Sequence, residues 1–112
     1  MSATPAIHSL YRVNKFAVPP AARDEFIALI RRTVDAISDQ AGFASHMLLE
    51  QESGPGEFNV VSIIGFSSPD AAPEILAAIA DFDRQNGIDR PALAARLGVK
   101  ADMGNFRPVA AS

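Results

Sequence analysis

The sequence contains no cysteine and no tryptophan, and only one tyrosine and two histidines in 112 residues. Without cysteine there is no disulfide, no thiolate nucleophile and no cysteine-held metal or iron–sulfur cluster. The histidines, His8 and His46, fall on separate expected strands with no HxH or HxxE spacing, so no metal site is expected. No GxGxxG motif precedes a helix, which gives no support for a bound dinucleotide. Gly54-Pro55-Gly56 is a turn and not a phosphate loop, because no helix follows it. Charge of either sign is also scarce. Ten basic residues stand against thirteen acidic, a mild net −3 with no block, so neither nucleic acid nor an anionic membrane is an expected partner. No apolar run approaches the ~18 residues of a membrane span. The first residues, MSATPAIHS, lack a basic stretch followed by an apolar one, so no signal peptide is visible. The expectation is a cytoplasmic protein forming one domain over residues 1–112, with its core at about residues 7–109.

What is present is a β-branched apolar run, Phe58 to Phe66, FNVVSIIGF. It is short for a helix and fenced by a Gly-Pro-Gly turn and a Ser-Ser-Pro stop, which predicts a buried central strand. Alternation puts Phe58, Val60, Ser62, Ile64 and Phe66 on one face and Asn59, Val61, Ile63 and Gly65 on the other. Neither face suits water. The chain's own helices can cover one, and a partner subunit is expected on the other.

In chain order, Met1 to Ala6 reads as a loose tail and Ile7 to Val18 as the first strand. Pro19-Pro20 ends that strand and opens a helix. Its stripe is Phe26, Leu29, Ile30, Thr33, Val34 and Ile37, and it should stop before Gly42. Phe43 to Gln51 is a second strand, joined to the organising strand by the loop ESGPGE. Ser68 should cap a second helix, with Ala72, Ile75, Leu76, Ile79 and Phe82 buried, ending near Asn86-Gly87. Arg90 to Leu97 reads as a short third helix, opened by Asp89 and closed by Gly98. Ala101 to Val109 is a last strand at an edge, where Pro108 is tolerated. The order β-α-β-β-α-(α)-β with right-handed crossovers predicts a ferredoxin-like α+β fold: a four-stranded antiparallel sheet with helices on one face.

The segments VNKFAVPPAARDEFIALI, LEQESGPGEFNVV and FSSPDAAPEIL, in that order, resemble the antibiotic biosynthesis monooxygenase domain. The likeness runs over about residues 9 to 82, and GVKADMGNFRPV is similar to the family's closing strand. The resemblance implies a homodimer, the dimeric α+β barrel. It also implies oxidation of an aromatic polyketide- or quinol-like molecule by O2, without flavin or metal. A related branch degrades haem through a Trp and a His of the second helix. This chain has no tryptophan and no histidine on its second helix, where Ile75 and Gln85 stand at about those places, so no cofactor is expected. Family members without known activity keep a second reading open, a non-enzymatic small-molecule-binding or stress-related dimer. A lyase or isomerase of a related barrel is a third.

The candidate catalytic residues are Asn14 and His46. Asn14 lies mid-strand among apolar neighbours, where an amide can donate to an oxygen that gains charge; the resemblance strengthens this, since relatives carry a functional Asn on the first strand. The competing role is a bond to nearby backbone or a bulge. His46 titrates near neutrality and can act as a base towards a phenol or anthrone. Alternation with Ala44 and Leu48 would instead turn it to the barrel interior or dimer seam. Arg12, on the face of Asn14, is a candidate partner for an acidic or phenolate substrate, against a surface or interface ion pair. Phe16, Met47, Phe66, Ile75 and Phe82, with Phe26, are candidates for a flat apolar pocket between sheet and helices, a reading that rests on the resemblance.

Overall fold

The structure, a computed structural model, describes His8 and residues 10–110. The expected tail and the first residue of the expected first strand, Ile7, lie outside the described residues. The strands are β1 (Tyr11–Ala17), β2 (Phe43–Glu50), β3 (Val60–Phe66) and β4 (Lys100–Phe106). The helices are α1 (Arg23–Ile37), α2 (Ala72–Asn86) and α3 (Arg90–Leu97). All strand pairs are antiparallel and the sheet order is β2-β3-β1-β4. This is the ferredoxin-like α+β arrangement, with α3 added before the last strand.

Local chemistry sets most boundaries. Pro20–Ala22 forms a 3₁₀ turn leading into α1, whose first turn holds Asp24 and Glu25 against the helix dipole. Its buried residues, Phe26, Leu29, Ile30, Thr33 and Ile37, follow the expected stripe. The helix stops at Ile37, without a glycine cap. Gly42 serves packing: a Cβ there would lie 2.5 Å from the Ala71 Cβ. Ser68 precedes a second 3₁₀ turn, Pro69–Ala71, and makes no capping bond, so α2 starts later than expected. Asp89 caps α3 by accepting from the Ala92 amide at 3.1 Å. Gly87 and Gly98 close α2 and α3 in the left-handed conformation, at φ 64° and 72°.

Strand β3 is shorter than the apolar run. Asn59 is diverted to brace β1: its Oδ1 accepts from the Val18 amide at 2.8 Å and its Nδ2 donates to the Val18 carbonyl at 2.9 Å. Those two groups sit just before Pro19, where the ladder ends, and would otherwise be unpaired.

The register divides the sheet into two faces. Arg12, Asn14 and Phe16 of β1 lie beside Ile64, Ser62 and Val60 of β3, on the side packed under the helices. The opposite face carries Val13, Met47, Leu49, Val61, Ile63 and Phe106. On it Met47 is 55%, Phe106 51% and Leu49 44% exposed. Among the described residues, helices cover the central strand on one side only.

Candidate active site

Along the helix-covered face the apolar core is broken into two clusters. One gathers Val18, Ala22, Phe26, Ile30, Val60 and Val99. The other gathers Ile37, Ile64, Phe66, Ala71, Ala72 and Ile75. Between them each neighbouring element contributes a polar residue: Asn14 from β1, Ser62 from β3, His46 from β2 and Thr33 from α1. Asn14 and Ser62 face one another in register. His46 Nε2 lies 2.8 Å from Ser62 Oγ. Thr33 donates to the Leu29 carbonyl at 2.8 Å and accepts from Arg90 at 3.0 Å.

A cavity of about 390 Å³ opens at this break. Arg12, Asn14 and Phe16 form one wall with Ser62 and Ile64; the α1 stripe from Phe26 to Ile37 forms the roof. Leu76 and Ile79 of α2, the start of α3 and Met103 of β4 close the sides. Phe16 meets Phe26 edge to face, with ring centroids 4.8 Å apart. The walls are overwhelmingly hydrocarbon. Two polar atoms of these lining residues, Arg12 Nε and Asn14 Oδ1, are buried without a hydrogen-bond partner among the described residues. Buried polar groups are normally satisfied, so this pair marks the part of the core that internal hydrogen bonding leaves incomplete.

Residues 9–63 match the family model for antibiotic biosynthesis monooxygenase. The chain carries a domain of this family. No curated protein matches the sequence. Among solved structures, a mutant of SnoaB, a cofactor-independent oxygenase from Streptomyces nogalater, is 27% identical with a TM-score of 0.64, over 91% of this chain and 94% of that one. A dimeric ferredoxin-like protein from an uncultured marine organism is 12% identical, TM-score 0.65, over 92% of this chain and 96% of that one. The haem degrader MhuD from Mycobacterium tuberculosis, solved with two haems in its active site, is 22% identical, TM-score 0.53, over 92% of this chain and 98% of that one. The last two share the fold alone.

Within this domain the residues expected at the site separate. Arg12, Asn14 and Phe16 line the cavity. Arg12 is not in a surface ion pair among the described residues. Phe66 and Ile75, expected to line the pocket, do not. Both are completely buried in the second core cluster, where packing already encloses them. Phe82 also stands off the cavity, half-buried, with the Arg32 guanidinium 5.8 Å from its ring centre. Met47 lies on the open face of the sheet, because a bulge between Phe43 and Ser45 sets the alternation of β2 beyond it. That bulge also bears on His46. It sits under α1, in a hollow formed with Arg31, Val34, Asp35 and Leu48, and not at the seam of the bare sheet face. Ser62 carried no signal in the sequence beyond being a small residue in an apolar run. Its meaning comes from the register that sets it between Asn14 and His46.

Burial lowers the pKa of His46 below its ordinary 6.5, since the charged ring is poorly solvated there. The unfolded chain therefore takes up this proton at higher pH than the folded one. Stability is unaffected above the ordinary value of 6.5 and falls as pH drops below it. His46→Gln, which keeps a bond to Ser62, should flatten this fall. Urea denaturation between roughly pH 7 and pH 5 measures it, and an unchanged pH slope in the variant would contradict the assignment.

Proposed function

We propose that the chain is a cofactor-independent monooxygenase that oxidises an aromatic, hydroxylated or quinol-like molecule with O2. The observation that carries this reading is Asn14, with its amide oxygen unpartnered, on the wall of an apolar cavity in a chain 27% identical to a cofactor-independent oxygenase. For an anthrone the balance is one ring CH2 and one O2 giving one ring carbonyl and one water. The substrate supplies all four electrons, so no reductant is needed. A proton leaves the substrate, the resulting anion passes an electron to O2, and the two recombine as a carbon-bound peroxide. Loss of the remaining C–H proton with cleavage of the O–O bond leaves the carbonyl, and the departing hydroxide takes up a proton to become water.

In this reading the chain's residues have few tasks. The walls formed by Phe16, Phe26 and the α1 aliphatics hold the ring flat and keep water out. The Asn14 amide donates through Nδ2 to the ring oxygen as it gains charge. The first proton passes to Ser62 Oγ and on to His46 Nε2, which acts as the base through that hydroxyl. The low pKa of His46 keeps the ring neutral, and able to accept, through neutral pH. No flavin, haem or metal has a part in these steps, and no group of three metal-ligating side chains occurs among the described residues.

The working form in this reading is a homodimer, as in the dimeric ferredoxin-like relative. Met47, Leu49, Val61, Ile63 and Phe106 give the bare sheet face the composition of an interface core. Sedimentation should find a dimer at micromolar concentration, and Met47→Lys combined with Phe106→Glu should dissociate it. A folded wild-type monomer at that concentration contradicts the assembly.

Removing the Asn14 donor should cost what loss of one oxyanion donor costs. Asn14→Ala is expected to lower turnover of an anthrone or quinol by about ten- to a hundredfold. Oxygen uptake and quinone appearance, corrected for folded protein, measure it. Turnover unchanged by the substitution would remove Asn14 from the chemistry. Tight binding of the same molecules by the wild type, with no oxidation, would identify a binding protein in place of an oxygenase.

A further inference from the structure

The cavity wall carries one guanidinium with no acidic partner among the described residues. Two arginines reach its wall. Arg90 is neutralised, with both Asp83 carboxylate oxygens at 2.6 Å and the Thr33 hydroxyl at 3.0 Å. Arg12 has no carboxylate within ion-pair distance among the described residues. Its Nε is buried without a partner, and its Nη1 reaches only the exposed amide oxygen of Asn105, at a long 3.4 Å. A guanidinium with a buried, unpaired N–H beside hydrocarbon walls is favoured by an anion that completes it. The chain as a whole is acidic, at net −3, so an attraction for anions here is local to Arg12 and not a property of the surface.

Arg12 and Asn14 are two residues apart on one strand face, which sets their Cα atoms roughly 6.6–7 Å apart. Arg12 offers a forked donor, suited to a carboxylate. Asn14 offers an unpartnered acceptor in Oδ1, suited to a hydroxyl hydrogen. We propose that the site selects a flat aromatic hydroxy acid, with a carboxylate on Arg12 and a ring hydroxyl on Asn14. This rests on the reading of the cavity as the substrate site. The carboxylate anchors one end of the ring. The hydroxylated end then lies beside Asn14 and Ser62, so Arg12 decides which ring position meets the oxidising end of the site. Arg12 is a specificity residue in this arrangement and touches no reacting atom.

Binding tests it without turnover. The chain has no tryptophan, so the fluorescence of a naphthalene ligand is read without protein background near it. The probes are a hydroxynaphthoate with its two groups at opposite ends, the methyl ester of that acid, and the corresponding naphthol. Wild type should bind the acid at least about tenfold tighter than the ester, as one charge-assisted bidentate contact would give. Arg12→Met should abolish the preference, and cooperative urea unfolding certifies that the variant is folded. Arg12→Lys, which keeps the charge and loses the fork, should retain part of the preference. Equal binding of acid and ester by wild type overturns the proposal, as does a preference that survives in Arg12→Met. Failure of all three probes to bind overturns it together with the cavity reading. A preference for the acid, lost in Arg12→Met, with no oxidation upholds this proposal and removes only the oxygenase.

Discussion

The helix-covered face of the sheet cannot close into one apolar core, because its middle row is polar. Phe16, Val60 and Ile30 pack on one side of that row, and Ile64, Phe66 and Ile75 on the other. Asn14, Ser62, His46 and Thr33 lie between. Two tightly packed clusters secure the helices at both ends of the sheet, and the middle stays open. Thr33 and Ser62 are satisfied within the chain, by Leu29, Arg90 and His46. Arg12 and Asn14 are not. A sequence optimised for stability alone would put aliphatic residues at those two positions.

Much follows from this for chemistry. Oxidation driven by the substrate's own electrons asks little of a protein: a dry space, a fixed ring and one or two groups aimed at developing charge. The cavity offers hydrocarbon walls, one amide, one guanidinium with no acidic partner among the described residues and a hydroxyl in contact with a neutral histidine. The shortage of reactive side chains in the sequence is therefore compatible with the proposed reaction.

The architecture was largely legible in the sequence, because its signals are local. The alternation in FNVVSIIGF marked an inner strand, the spacing from Phe26 to Ile37 marked the buried side of α1, and Asp89 with Gly98 bracketed α3. The boundaries that differed did so through tertiary bonds, as where Asn59 turns to Val18 and shortens β3. The site was less legible. A phenylalanine lining a cavity and one sealed in a core give the same pattern, so Phe16 and Phe66 looked alike. The side to which Met47 and His46 point depended on a bulge near Ala44 that no residue type announces. Ser62 gained its place only through register with Asn14, and Arg12 its interest only through the absence of a carboxylate beside it.

The central claim is that the polar break exists for a ligand at the expense of stability, and Asn14→Leu tests it most directly. Leucine has the same branching as asparagine, is somewhat bulkier, and carries no polar atom to leave unpaired. Chemical denaturation of the ligand-free variant should show a gain of about 1–3 kcal/mol over wild type, the usual penalty of a buried unsatisfied group, together with loss of the hydroxyl contribution to aromatic binding. A loss of stability of that size, with aromatic binding intact, would show that Asn14 is a structural residue and contradict the account.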